Sequence, residues 1–231
     1  MGFKVRGYTR EVTQEKVRDY SLFAIACEGS VTEPGYFRPF DGIKRIKVDI
    51  IESEADDCQQ DNGSSSPSKV LERVKAYINE NQLSPEHGDS LWCVIDVDRW
   101  PMEQIEELHA FCEQKENWHL VISNPCIEIW LLYHTRESLK GLRIKTSKDA
   151  KRVLDKIAKY YYFKYLPLMP DAIRNAKAAD SEPESYMPKP LETKVYQLAQ
   201  ALYERIGKPS FDEFVALLPK IEKELLAKKK K

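Results

Sequence analysis

SLFAIACEG (21–29) is the stretch on which the fold turns. Its apolar run lacks polar alternation, as in a strand buried on both faces, and Glu28-Gly29 then breaks it. LWCVIDVD (91–98) is a second run of the same kind, ending in two aspartates. RIKVDIIE (45–52) includes an alternating stretch and reads as a strand nearer a sheet edge; WHLVIS (118–123) reads as another short strand. Helical signals lie between them. Thr32-Glu33-Pro34 marks a helix start, with Thr32 as cap and Pro34 in the first turn. A polar loop over 54–68 leads into a helix from Pro67 or Ser68 carrying Val70, Leu71, Val74 and Ile78. Residues 100–115 form an amphipathic helix with Ile105, Leu108 and Cys112 on one side. Ser123-Asn124-Pro125 reads as a further helix N-terminus, with Asn124 as cap.

Apolar strands alternating with helices predict an α/β fold, a mostly parallel sheet flanked by helices. Beyond residue 145 the pattern becomes helical, over 147–160, 164–178, 192–206 and 210–227. The expected organisation is an N-terminal extension (1–19), an α/β core (20–145), and a helical C-terminal part (146–231) packed on the same domain. With 231 residues, 42% of them hydrophobic, the chain can bury one sizeable core.

Lys plus Arg number 36 against 37 Asp plus Glu, a net charge of −1. That balance gives no global footprint for nucleic acid or an anionic membrane, so any such contact needs a local basic face. Five cysteines without a Cys-x-x-Cys pair argue against a disulfide framework or a structural zinc site. Cys27, Cys93 and Cys126 sit in apolar runs and read as small buried hydrophobes. With neither a signal-peptide core nor a membrane-spanning stretch, a soluble cytoplasmic protein is expected.

The acids carry the chemistry. Ligands of open α/β sheets bind outside the carboxyl ends of the strands. Glu28 ends the first run there, and Asp96 and Asp98 end the run from Leu91. An extended chain would turn both aspartates to one side, giving with Glu28 an oxygen-rich pocket suited to Mg²⁺ or Mn²⁺. The bland reading is that each acid marks where a strand meets solvent. Glu128 is the lone charge of the apolar segment PCIEIWLLY, so it needs a cation, an arginine such as Arg99 or Arg136, or a proton. None of the four histidines shows zinc-ligand spacing; His134 ends the Glu128 helix, where a cation favours the dipole. Tyr160, Tyr161, Tyr162 and Tyr165 read as packing residues before a base-stacking platform.

ACEGSVTEPGYF (26–37), VIDVDRW (94–100) and SNPCIEIWLLYH (123–134) resemble the signature blocks of the RloB-like family. AIRNAKAAD (172–180) and ETKVYQLAQAL (192–202) are similar to that family's C-terminal pattern. The resemblance implies a protein of bacterial phage-defence and restriction loci, often beside an ATPase partner. The first two blocks also resemble the glutamate and D-x-D motifs of the Toprim fold, found in topoisomerases, primases and nucleases of the overcoming-lysogenization-defect type. Carried over, Glu28 matches the Toprim glutamate, and Asp96 and Asp98 match the D-x-D pair. Glu33 stands for the second acid, and Glu128 for an additional acid of the nuclease branch. Glu33 lies five residues after Glu28, where Toprim motifs place that acid four after, so a helix-start role competes with a ligand role.

The resulting expectation is an Mg²⁺- or Mn²⁺-dependent nuclease acting on DNA or RNA, tRNA included, in anti-phage defence. Glu28, Asp96, Asp98 and Glu128 are its catalytic candidates, and Glu28, Glu33, Asp96 and Asp98 its metal ligands. Lys44, Lys47 and Arg99 are candidates for phosphate contact. The alternative is a non-catalytic module that senses a nucleotide or docks on an ATPase. A phosphatase reading of D-V-D ranks last, because Arg99 and Trp100 follow Asp98.

Overall fold

The computed structural model describes residues 18–52, 66–97, 100–157 and 162–228. Among these residues four strands, β1 (Ser21–Cys27), β2 (Ile46–Ile51), β3 (Ser90–Asp96) and β4 (Trp118–Ser123), form one sheet in the order β2-β1-β3-β4. All three pairings are parallel. β2 is an edge strand, as its alternation predicts, while every residue of β1 is buried.

Alternation along the strands sorts their side chains onto two cores. Ala24, Ala26, Leu91, Cys93, Ile95, Leu120 and Ile122 pack against α2 (Pro67–Glu80) and α3 (Met102–Cys112). Phe23, Ile25, Cys27, Trp92, Val94 and Val121 face the other way. That larger core takes in α1 (Thr32–Phe37), α4 (Glu128–Tyr133), α5 (Ser147–Ile157), α6 (Tyr162–Tyr165), α7 (Met169–Ala179), α8 (Val195–Ile206) and α9 (Lys208–Lys228). The C-terminal helices thus cover one face of the sheet as an extension of the same core. Cys27, Cys93, Cys112 and Cys126 are all buried free thiols.

Two predicted helix caps differ. The cap position of α1 is Val31, not Thr32, and no side chain caps it. The helix after β4 begins at Glu128 rather than Pro125. Asn124 is unavailable as a cap because its backbone pairs with Leu191 and Glu192, and its side-chain amide donates to Pro188 O at 2.9 Å. Beside it, Ser123 forms an antiparallel bridge with Thr193, their hydroxyls 2.8 Å apart, and the Lys194 N–H donates to Ile122 O. A buried ion pair holds this segment: Lys194 Nζ reaches Asp180 Oδ1 and Oδ2 at 2.8 and 2.7 Å, and the Tyr196 hydroxyl donates to Asp180 Oδ2. At the opposite, amino-terminal end of the strands, Asp89 accepts from the backbone of Leu22 and Ser84 and from both Arg18 Nη atoms.

Among the described residues no helix is long and apolar enough to cross a membrane.

Candidate metal and phosphodiester site

The chain leaves β1 for β2 on one side and crosses back over β1 to reach β3, so the strand order reverses between β1 and β3. Such a switch point opens a crevice at the carboxyl ends of the strands. Glu28 follows β1 and Asp96 ends β3 at that crevice. The Glu28 N–H donates to Val94 O at 2.9 Å, continuing the β1–β3 ladder one residue past the strand. Its carboxylate folds back over the same pair of strands. Oε2 accepts from the Asp96 N–H at 2.9 Å and Oε1 accepts from Trp100 Nε1 at 2.8 Å. These two donors fix the plane of the 8%-exposed carboxylate.

Glu33 enters from α1 and is also buried. Gly29 permits it: a Cβ at position 29 would lie 2.6 Å from Glu33 Oε2, and the Gly29 N–H donates to Glu33 Oε1 at 3.3 Å. Burial holds the Glu33 carboxyl above the usual range, and the charge of Glu128 pushes it the same way. Its own backbone N–H, that of Gly29 and the charge of Lys151 act in the opposite direction.

Glu128 opens α4 and is 1% exposed. Of the two arginines expected as partners, Arg99 lies outside the described residues and Arg136 is exposed. Lys151 of α5 stands 3.9 Å from Oε1, while Oε2 is buried with no hydrogen-bond partner among the described residues. Burial, with the charges of Glu128 and Asp96 next, pushes the neighbouring Cys126 thiol far up, so it is no thiolate nucleophile.

Glu28, Glu33, Asp96 and Glu128 therefore line one cavity of about 350 Å³, together with Ser147 and Lys151. Asp98, the remaining predicted acid, lies outside the described residues. The donor set is all oxygen, which fits Mg²⁺ or Mn²⁺ and not a thiolate-seeking ion. The unpartnered Oε2 of Glu128 is a second reason to place a cation there. As the side chains stand, no three His, Cys, Asp or Glu among the described residues close on one point to hold a metal.

The predicted phosphate contacts lie elsewhere or outside view. Lys44 bonds Ser210 Oγ at 2.9 Å and lines a different cavity, against α9. Lys47 pairs in register with Leu22, at the amino-terminal end of the strands. Lys151 and Trp100 are site residues that sequence reasoning misses: residues 147–160 read only as a helix, although Thr146-x-x-Asp149 is a capping signal that fixes where it starts. His134 is not a cation at a helix end. It is 3% exposed and desolvation pushes its pKa down to about 3. Nε2 accepts from the Tyr36 hydroxyl at 2.9 Å and Nδ1 donates to Trp130 O at 3.1 Å. Tyr165 packs on that imidazole and is buried, which removes it from any stacking platform.

The model of the RloB-like protein family matches residues 23–202. The chain belongs to the RloB-like family. All four described acids and Lys151 fall within the matched residues, and the observed α/β architecture of this RloB-like protein is consistent with a Toprim-like fold. No curated protein and no solved structure matches it.

Proposed function

We propose that this RloB-like protein is a divalent-cation-dependent nuclease that hydrolyses phosphodiester bonds in nucleic acid. The observation that carries the reading is four carboxylates around one cavity at the sheet's switch point, with one oxygen of the most buried of them lacking a hydrogen-bond partner among the described residues. Such a surplus of negative charge repels a phosphodiester unless a cation accompanies it. Bound there, Mg²⁺ or Mn²⁺ would neutralise charge on the transferring phosphoryl group and lower the pKa of a bound water. Glu28, its plane fixed by Asp96 N–H and Trp100, accepts a proton from the attacking water or donates an oxygen to the cation shell. Asp96 supplies a carboxylate from the adjacent strand end, and Glu128 and Glu33 supply or orient the remaining oxygens. Asp98 is assigned to the same shell by its sequence position. The anti-phage role and an ATPase partner rest on the family resemblance alone.

The test is incubation of purified protein with labelled DNA, total tRNA and mRNA, in Mg²⁺, Mn²⁺ or EDTA, beside Glu28→Gln and Asp96→Asn. Cleavage that needs the cation and disappears in both variants is the expected result. A second reading is a non-catalytic nucleotide-sensing or ATPase-docking module. Absence of cleavage by folded protein under every condition, with and without the neighbouring ATPase, selects that module.

A further inference from the structure

Among the described residues Lys151 is the one basic residue lining the acidic cavity. Its place is set from a distance along the chain. Thr146 and Asp149 form reciprocal bonds at the head of α5, Asp149 N–H to Thr146 Oγ1 and Thr146 N–H to Asp149 Oδ2, both at 3.2 Å. That capping box fixes the first turn, and Lys151 follows one turn after Ser147 on the same face, so both reach the cavity. Yet the lysine is held loosely. Its side chain is 53% exposed, and Nζ stands 3.9 Å from Glu128 Oε1, beyond hydrogen-bond length. A tight buried pair looks different in this same protein: Lys194 is 1% exposed and lies 2.7 Å from its carboxylate. Lys151 therefore offsets the charge of Glu128 without satisfying it, and the other Glu128 oxygen has no hydrogen-bond partner among the described residues.

We propose that Lys151 is a tethered counter-ion, holding the acidic cavity neutral enough to stay folded without a cation and leaving Glu128 when a divalent cation enters. The inference rests on the cation-binding reading above. A flexible four-carbon stem and a half-exposed position let the ammonium swing out to solvent without unfolding α5. An arginine would not serve equally, because its fork makes two bonds to a carboxylate and would release it less readily.

Mn²⁺ is the probe, and titration calorimetry on the full chain is the readout. Lys151→Met should bind Mn²⁺ about five-fold more tightly than wild type, the order expected on removing one partly screened charge pair. Lys151→Arg should bind it more weakly. Acetylation of wild-type protein, resolved by residue with mass spectrometry, should show Lys151 modified faster with Mn²⁺ than with EDTA. Thermal melting checks that each variant is folded. Equal or weaker Mn²⁺ binding by Lys151→Met, or an unchanged Lys151 acetylation rate, overturns the inference while leaving the metal site intact. If wild type and Lys151→Met both fail to bind Mn²⁺, the metal reading fails and the counter-ion role falls with it.

Discussion

The backbone N–H of Asp96 donates to Glu28 Oε2 at 2.9 Å, so the end of β3 that carries one acid also orients the acid that follows β1. Trp100 completes the arrangement from the start of the next connection. Trp100→Phe removes the indole donor while keeping an aromatic ring in place. We expect it to lower cation-dependent cleavage by about 10- to 100-fold, as loss of an outer-shell partner does. Glu28→Gln should instead cost about 1–3 kcal/mol of stability in EDTA, because an amide offers one acceptor to two donors. Denaturant unfolding of both variants checks this; a Glu28→Gln protein as stable as wild type would sink the two-donor account.

Gly29 is a packing requirement. A methyl group there meets the Glu33 carboxylate at 2.6 Å, and that carboxylate is buried against the sheet. Gly29→Ala should destabilise by about 1–3 kcal/mol, as overpacking does. Glu33→Ala made in the same chain should recover part of the loss. A double-mutant cycle reads the coupling, expected at more than about 0.5 kcal/mol. A purely additive cycle would show that the two residues do not collide.

His134 supplies a pH dependence with a definite sign. Its pKa falls from 6.5 in the unfolded chain to about 3 when buried, so the unfolded state binds the proton first. The stability that this neutral imidazole contributes is complete above pH 6.5 and is lost as pH falls toward 3. The slope is about 1.4 kcal/mol per pH unit across that window. His134→Gln, which keeps an acceptor for Tyr36, should flatten the curve by one proton's worth in urea titrations between pH 7 and about pH 4.5. An unchanged slope would place the titration elsewhere.

The Asp180–Lys194 pair is buried, so its halves are costly to separate. Lys194→Met leaves the Asp180 charge with only neutral donors, the Tyr196 hydroxyl and the Glu182 N–H, among the described residues and should lose about 3–5 kcal/mol. Asp180→Asn combined with Lys194→Met should lose less than Lys194→Met alone, since no uncompensated charge remains. Chemical denaturation of the single and double variants decides it.

What the sequence disclosed and what it withheld follow from range. β1 and β3 were legible because a parallel strand covered on both faces is continuously apolar, and Glu28 and Asp96 because they terminate those runs. Glu128 stood out as a charge in an apolar helix. The start of α4 was misread because Asn124-Pro125 carries a local helix signal, and only contact with residues 188–192 redirects it. Lys151 was invisible for a related reason: on an amphipathic helix rich in lysine, nothing local separates the one that reaches a remote carboxylate from those that meet water.

The bridge from Ser123 to Thr193, with the Lys194 N–H on Ile122 O, has a colloidal consequence. An outer strand presents unpaired backbone groups that a strand from another molecule can adopt, the first step toward fibrous aggregation. Here the site-proximal end of β4 is already paired by the chain's own return segment. Loosening that segment, as breaking the Asp180–Lys194 pair would, should therefore show first as turbidity on concentration, before any global melting.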